Sequence, residues 1–318
     1  MKTSFLFIVS FFQLMMLSAQ DKNYSEWYLQ RDDADIFVKE IKSGKDTVIV
    51  VHGGFGANHD YMLDALEGLK DTFYFILYDQ RGSLLSPAKA ENLTFQKNID
   101  DLLALTNALK LKKTKLFCHS MGTLVGMEFV KQHPDLVSHL VLVGAILPKS
   151  DSLKSVFSKR HEEQVHYLMN RKEVKELTEP YIAKGINDLH TVKDIETSEL
   201  THKDLTEYWR ITFAAVNLYD VRKHIYLKGG RAYYKQSASV MAETVNWDYD
   251  YRNSLNNNTK TTIINGDYDF LDFHGEAFKA SLNGYDKIEL RIIPHAGHNS
   301  WIDNPKIFKD YLKSALLK

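Results

Sequence analysis

The chain is short of cysteine and of proline, and it has no excess of charge of either sign. Its single cysteine, Cys118, excludes an intramolecular disulfide framework and a zinc site built from several thiolates. Six prolines and 16 glycines in 318 residues exclude a collagenous chain and argue against broad disorder. Forty basic side chains stand against 41 acidic ones, a formal charge of -1, so there is no general field to hold a polyanion. Nucleic acid is therefore not an expected partner. What remains is a globular composition, 44% hydrophobic and 25% charged. The length suits either two domains or one large α/β domain carrying an insertion.

The N-terminus reads as an address. Lys2 is followed by the mostly apolar stretch Phe5–Leu17, then by Ser18-Ala19-Gln20 and the polar Asp21. The apolar stretch is short of the ~20 residues a permanent membrane span requires, and no cysteine follows it to accept a lipid. The pattern predicts a secretory signal peptide over residues 1–20, a secreted or periplasmic protein, and no stable membrane span after cleavage. Removing it takes away only one charged residue, Lys2, so the polyanion argument is unchanged.

From Ile36 onward, β-rich runs alternate with helical patterns. Strands are expected at Asp35–Ile41, Thr47–Val51, Phe73–Tyr78, Lys115–Cys118, His139–Gly144, Thr261–Ile264 and Ile288–Ile293. Continuous apolar runs of this kind suit strands buried on both faces of a parallel sheet. Helices are expected over Phe95–Lys110 with Thr94 as N-cap, over Met121–His133, and from Pro305 to Leu316. The alternation predicts a doubly wound, mostly parallel α/β sheet. Residues 149–258 break it: they carry helical spacing, as in Glu162–Asn170 and Leu205–Tyr219, and no convincing buried strand. They read as a helical cap inserted between sheet strands, with core segments at 21–148 and 259–318 and a linker at Asn253–Thr259.

The strongest chemical signal is Leu116-Phe117-Cys118-His119-Ser120-Met121-Gly122. A strand ends, one residue turns sharply and a helix begins, which is the setting of a nucleophile elbow with Ser120 as nucleophile. Small residues are needed two positions to either side; Gly122 fits, and Cys118 replaces the usual first glycine. Upstream, a strand runs into His52-Gly53-Gly54-Phe55-Gly56. Such glycines let backbone N–H groups approach an oxygen that turns negative during acyl transfer, each donor being worth ~3 kcal/mol. Gly54 and Met121 are the candidate oxyanion donors, with Phe55 as the alternative to Gly54. No Lys-Ser/Thr follows the glycines, so the phosphate-loop reading fails.

A serine nucleophile needs a base, and the base needs an orienting carboxylate. Two strands end in suitable loops: Asn265-Gly266-Asp267-Tyr268-Asp269 and Pro294-His295-Ala296-Gly297-His298. Both follow strand C-termini, the edge where Ser120 sits. Asp269 and His298 are the first choices and Asp267 and His295 the alternatives.

Together, His52–Gly56, Tyr78-Asp79-Gln80-Arg81-Gly82-Ser83, the Ser120 elbow, Gly266–Asp269 and Ala296-Gly297-His298 resemble the α/β-hydrolase superfamily, and within it the prolyl iminopeptidase-like serine aminopeptidases. The resemblance covers roughly Ile36–Leu147 and Thr261–Pro305. Phe55 stands where that family usually has Pro, and Leu84 where it has Gly. The resemblance implies an α/β-hydrolase fold, a Ser120–Asp269–His298 triad, no cofactor and no metal, and a short peptide with an N-terminal proline or small apolar residue as substrate. A small carboxylic ester is the alternative substrate, and a non-catalytic ligand-binding hydrolase fold the more distant one. The family holds the substrate's ammonium with cap carboxylates; Glu162, Glu163, Glu207, Asp220 and Glu243 are available here, with Tyr208 and Trp209 as pocket walls, and none stands in a matching motif. The Asp79–Gly82 loop reads as structural, Arg81 bridging loops.

Overall fold

The computed structural model describes residues 23–150, 156–186, 202–227 and 235–317. The leader expected over residues 1–20 lies outside the described residues. One eight-stranded sheet forms the centre, built from β1 (Tyr24–Gln30), β2 (Asp35–Ile41), β3 (Asp46–Val51), β4 (Phe73–Tyr78), β5 (Thr114–His119), β6 (Val137–Val143), β7 (Lys260–Gly266) and β8 (Ile288–Ile293). The spatial order is β1-β2-β4-β3-β5-β6-β7-β8. β1 and β2 pair antiparallel, as do β2 and β4, and every later pairing is parallel. The expected strands all form. β1 is additional to them, because its side chains alternate between exposed and half-buried and offer no continuous apolar run.

The inner strands are buried on both faces, and their alternation shows which residue serves which side. Ile49 and Val51 of β3 join Leu116, Cys118, Leu140 and Leu142 in one core, while Val48, Val50, Phe117, Val141 and Val143 join a second core across the sheet. Helices α1 (Phe95–Ala108) and α2 (Gly122–Gln132) cover the first face. α10 (Pro305–Leu317), the short α9 (Ser300–Asp303) and a 3₁₀ turn at Asp60–Leu66 cover the second. Thr94 caps α1 as expected, its side chain accepting the Lys97 N–H at 3.2 Å.

Between β6 and β7 every described element is helical: α3 (Val156–Met169), α4 (Lys172–Ile182), α5 (His202–Asn217), a 3₁₀ turn at Val221–Tyr226, α6 (Lys235–Glu243) and α7 (Arg252–Asn258). These helices divide by what they pack against. α4, α5 and the 3₁₀ turn share a small core of their own around Val174, Ile211, Ala214 and Leu218. Met241 of α6, Val245, Tyr251 and Leu255 of α7 are instead part of the main core beside the sheet. The stretch expected as a linker, Asn253–Thr259, lies mostly in α7, where buried Leu255 anchors an otherwise weak asparagine-rich helix. α8 (Glu276–Ser281) lies between β7 and β8. Among the described residues no helix is long and apolar enough to cross a membrane.

The order reverses between β3 and β5, so the connections leaving these two strands run off in opposite directions, the position at which open α/β sheets bind their ligands. The His52–Gly56 loop leaves β3 at that point and Ser120 leaves β5 beside it.

Candidate active site

Ser120 sits between β5 and α2 with φ +52, a left-handed backbone rarely taken by a residue with a side chain. The turn is pinned by its own hydrogen bonds: the Ser120 N–H donates to the Val143 carbonyl at 3.0 Å, and the Thr123 N–H to the Ser120 carbonyl at 2.9 Å. Strain held in place by such bonds is the mark of a nucleophile elbow. A Cβ on Gly122 would stand 2.4 Å from the His52 carbonyl oxygen, which explains the need for glycine there. Cys118 is tolerated for a related reason. Its Sγ occupies the space above Gly126, where a Cβ would meet it at 2.5 Å. The thiol is fully buried and burial pushes its pKa up, so it is a packed, inert group.

The glycine loop touches the serine directly. A Cβ on Gly53 would come within 2.4 Å of Ser120 Cβ, so only glycine allows β3 and β5 to converge here. Gly54 turns away with φ +69. The Gly53 N–H is already engaged by the Tyr61 hydroxyl at 2.6 Å. Among the described residues no acceptor takes the N–H of Gly54, Phe55 or Met121, the three oxyanion candidates. The loop is fixed from beneath: Gln80 donates its side-chain N–H to the His52 carbonyl at 2.7 Å and its backbone N–H to His52 Nε2 at 3.0 Å. Asp79 in turn holds His59 Nδ1 at 2.8 Å, and Arg81 forms a bidentate pair with Asp101, both bonds 2.7 Å. The Asp79–Gly82 motif thus braces the site.

Of the two carboxylates and two histidines left open by sequence, the structure pairs Asp269 with His298. Nδ1 of His298 lies 3.0 Å from each Asp269 oxygen. A carboxylate only accepts, so Nδ1 carries a proton, and in the neutral ring Nε2 is then the acceptor. Both groups are buried. Asp267 instead accepts the Ala296 N–H at 3.1 Å, and His295 is exposed at φ +53. The His298 ring lies over Gly144, the residue after Val143, whose carbonyl accepts the Ser120 N–H, so ring and serine backbone both border the end of β6.

Residues outside the sequence motifs complete the surroundings. The ring of His119 lies 4.7 Å from that of His298. Its Nε2 donates to the His298 carbonyl at 3.3 Å, and its Nδ1 accepts from the Tyr61 hydroxyl at 2.8 Å. This fixes His119 as the neutral Nε2–H tautomer, and burial holds its pKa well below the usual histidine range. On the cap side, Phe270 packs 4.7 Å from His298, and His161 of α3 packs 5.4 Å from Phe270. Burial lowers the pKa of His161 too. Position next to Ser120 was the only sequence signal for His119, and His161 had none.

The cap carboxylates have different surroundings. Glu163 lies 4.0 Å from Lys159 and Glu207 2.8 Å from Arg210. Asp220 accepts the Arg222 N–H at 3.1 Å, while Glu162 and Glu243 are exposed. Tyr208 is buried beside Ile186 and Leu205, and Trp209 stacks on Phe213 at 5.1 Å, both within the cap. Among the described residues no group of three or more His, Cys, Asp or Glu side chains could hold a metal ion.

An eight-stranded sheet with a serine elbow, a glycine loop and an Asp–His pair at one edge defines a hydrolase of the α/β class. A family model for the alpha/beta hydrolase fold matches residues 46–305, and the chain belongs to that family. RutD of Agrobacterium fabrum, named as a carbamate hydrolase, is 31% identical over 98 residues, which span 30% of this chain and 38% of RutD. A 1-acylglycerol-3-phosphate O-acyltransferase of Arabidopsis thaliana is 25% identical over 305 residues, 88% of this chain and 69% of that protein. A proline iminopeptidase-related protein from Thermus thermophilus shares the fold with a TM-score of 0.63 at 19% identity, covering 92% of this chain and 97% of the other.

Proposed function

We propose that the chain is a serine hydrolase working through an acyl-enzyme on Ser120. The observation that carries this reading is the Asp269 clamp on His298 Nδ1, which leaves Nε2 as a base at the strand edge where Ser120 is held in a strained turn. In the mechanism, His298 takes the Ser120 proton as Oγ attacks the acyl carbonyl. The N–H groups of Gly54 and Met121 hold the oxyanion. His298 then protonates the leaving amine or alcohol, and water, activated by the same base, releases the acid. Labelling by a fluorophosphonate, abolished in Ser120→Ala, tests it. A wild type that never labels favours a non-catalytic ligand-binding fold and rejects the enzyme.

For the substrate, the reading is a short peptide with an N-terminal proline or small apolar residue. Glu162 supports it. Helix α3 lies against the loop that carries Asp269, through His161 on Phe270, Tyr167 on Phe273 at 6.0 Å and Arg160 near Asp272 at 3.8 Å. Glu162, the residue after His161 on that helix, is exposed, and in this reading its carboxylate is the partner of the substrate ammonium. Glu162→Gln should raise KM for a proline arylamide about tenfold, the effect of losing ~1.4 kcal/mol, and leave ester cleavage unchanged. A second reading, hydrolysis of small carboxylic esters, is favoured by the apolar ring of Phe270 beside His298, which asks for no charge on the substrate. Ester cleavage without arylamide cleavage would decide for it. We propose further that residues 1–20 act as a secretory leader and that the protein is secreted or periplasmic; the cell fraction that holds the protein, and its N-terminal residue there, test this.

A further inference from the structure

One buried carboxylate ties the cap to the loop of the proposed base. Asp303 lies at the end of α9 and is 9% exposed. Its Oδ2 accepts the N–H of Gly297, the residue before His298, at 2.9 Å, and the N–H of Tyr219 at 2.8 Å. Its Oδ1 accepts the N–H of Asp220 at 3.2 Å. Tyr219 and Asp220 form the turn that leaves α5 in the cap. The same turn grips the other side of the histidine, since the Asn217 carbonyl accepts the Asn299 N–H at 3.0 Å. Lys223, one turn further on, donates to the carbonyls of Ile302 at 3.3 Å and Asp303 at 2.7 Å. Cap backbone therefore brackets His298 on both flanks. There is no slack between them: a Cβ on Gly297 would stand 2.6 Å from the Asn217 carbonyl oxygen.

We propose that Asp303 is a positioning residue that makes the seating of the cap turn Asn217–Asp220 and the placement of His298 a single mechanical event. A carboxylate alone fits this role among similar side chains. Three backbone N–H groups from two distant segments converge on its two oxygens, whereas an amide would offer one acceptor and aim its own N–H₂ at a donor. Cap displacement then withdraws the base, because the N–H of Gly297 and the N–H of Tyr219 share one oxygen. A misplacement of about 1 Å at a reacting group can cost 10²-fold in rate. The cap thus governs reactivity as well as access, and a ligand that seats the cap turn also seats the histidine.

The inference rests on His298 being the general base, and the experiment separates the two. The second-order rate of fluorophosphonate labelling and the final labelled fraction are measured for the wild type, Asp303→Asn and Lys223→Met, with kcat and KM on the preferred substrate. The expectation is a labelling rate per labelled site reduced about 10- to 100-fold in Asp303→Asn and several-fold in Lys223→Met, with kcat falling in proportion and KM little changed. A purely structural role would instead lower the final labelled fraction and leave the rate per labelled site at the wild-type value, which overturns the coupling. Lys223→Met removes no buried carboxylate, and an unchanged rate in it, should Asp303→Asn not fold, overturns the coupling equally. A wild type that fails to label overturns the base assignment and the coupling with it.

Discussion

A side chain on Gly144 would run into His298: its Cβ would stand 2.8 Å from both Cε1 and Nδ1 of the imidazole. Gly144 also has φ +51, where a Cβ adds strain of ~1–2 kcal/mol. The glycine at the end of β6 is therefore the floor on which the proposed base lies. Gly144→Ala is expected to push the ring off its line to Ser120 and lower kcat about 100-fold or more, with a modest loss of stability. Fluorophosphonate labelling rates alongside thermal unfolding check this; a variant that labels at the wild-type rate would show that the ring has room to move.

The Asp269–His298 pair makes a sharper claim about two neighbouring carboxylates. Asp269→Asn keeps the shape but no longer enforces the Nδ1–H tautomer, and kcat should fall by ~10⁴, as expected for a triad whose acid is amidated. Asp267→Asn retains an acceptor for the Ala296 N–H and should stay within a few-fold of wild type. Turnover of both variants on one substrate decides the assignment, and the reverse order would give the orienting role to Asp267.

The parts of the site that lie within one short segment were legible in the sequence. Ser120, Asp269 and His298 each follow a buried apolar run, so strand position alone placed them at one edge. The supports were not, because each is made between distant segments and often to backbone. Asp303 meets only N–H groups, from residues 219, 220 and 297, and a backbone partner leaves no trace in residue type. The contact of Tyr61 with His119 and the approach of Gly144 to His298 depend on how strands are ordered, which the sequence did not specify. The same logic explains the elements. Continuous runs such as Phe73–Tyr78 announced buried strands, whereas the half-exposed edge strand Tyr24–Gln30 did not. In α7, asparagine content pointed to a linker, but burial of Leu255 outweighed the weak helix propensity of its neighbours.

Arg81 and Asp101 form a buried pair, each side chain 1% exposed, and Arg81 also donates to the Asn92 carbonyl at 2.9 Å. Removing Asp101 leaves buried Arg81 with only the longer contact to Asp33 and the Asn92 carbonyl, and takes away the partner of Arg31 at 3.0 Å as well. Asp101→Ala should therefore cost ~3–5 kcal/mol, visible as a lowered denaturation midpoint at unchanged slope. Replacing both residues with apolar ones should recover much of that loss. A loss below ~1 kcal/mol in Asp101→Ala would mean that Asp33, 3.4 Å from Arg81, takes over the pairing.

Stability should depend on pH chiefly through the fully buried His52 and His119, with the half-buried His161 adding in the same sense. Burial is the main cause that lowers the pKa of each in the folded protein below its ordinary value of 6.5, and for His119 the neighbouring His298 and His52 lower it further. Both are held neutral, His52 by accepting the Gln80 N–H and His119 by accepting from Tyr61. Below pH 6.5 the unfolded chain binds protons that the folded one refuses, so stability is full above that pH and falls as pH drops. Two such groups give a slope of up to ~2.7 kcal/mol per pH unit between 6.5 and their folded values. Asp272 and Asp303, whose pKa values burial raises above 3.8, act in the opposite sense from 3.8 up to their folded values. Denaturant unfolding at pH 7.5, 6.5 and 5.5 should show a steep loss over the last step. In His119→Gln, which keeps an N–H for the His298 carbonyl but cannot titrate, that loss should shrink by about a third to a half. An unfolding free energy that stays flat from pH 7.5 to 5.5 would show that neither histidine resists protonation in the folded state.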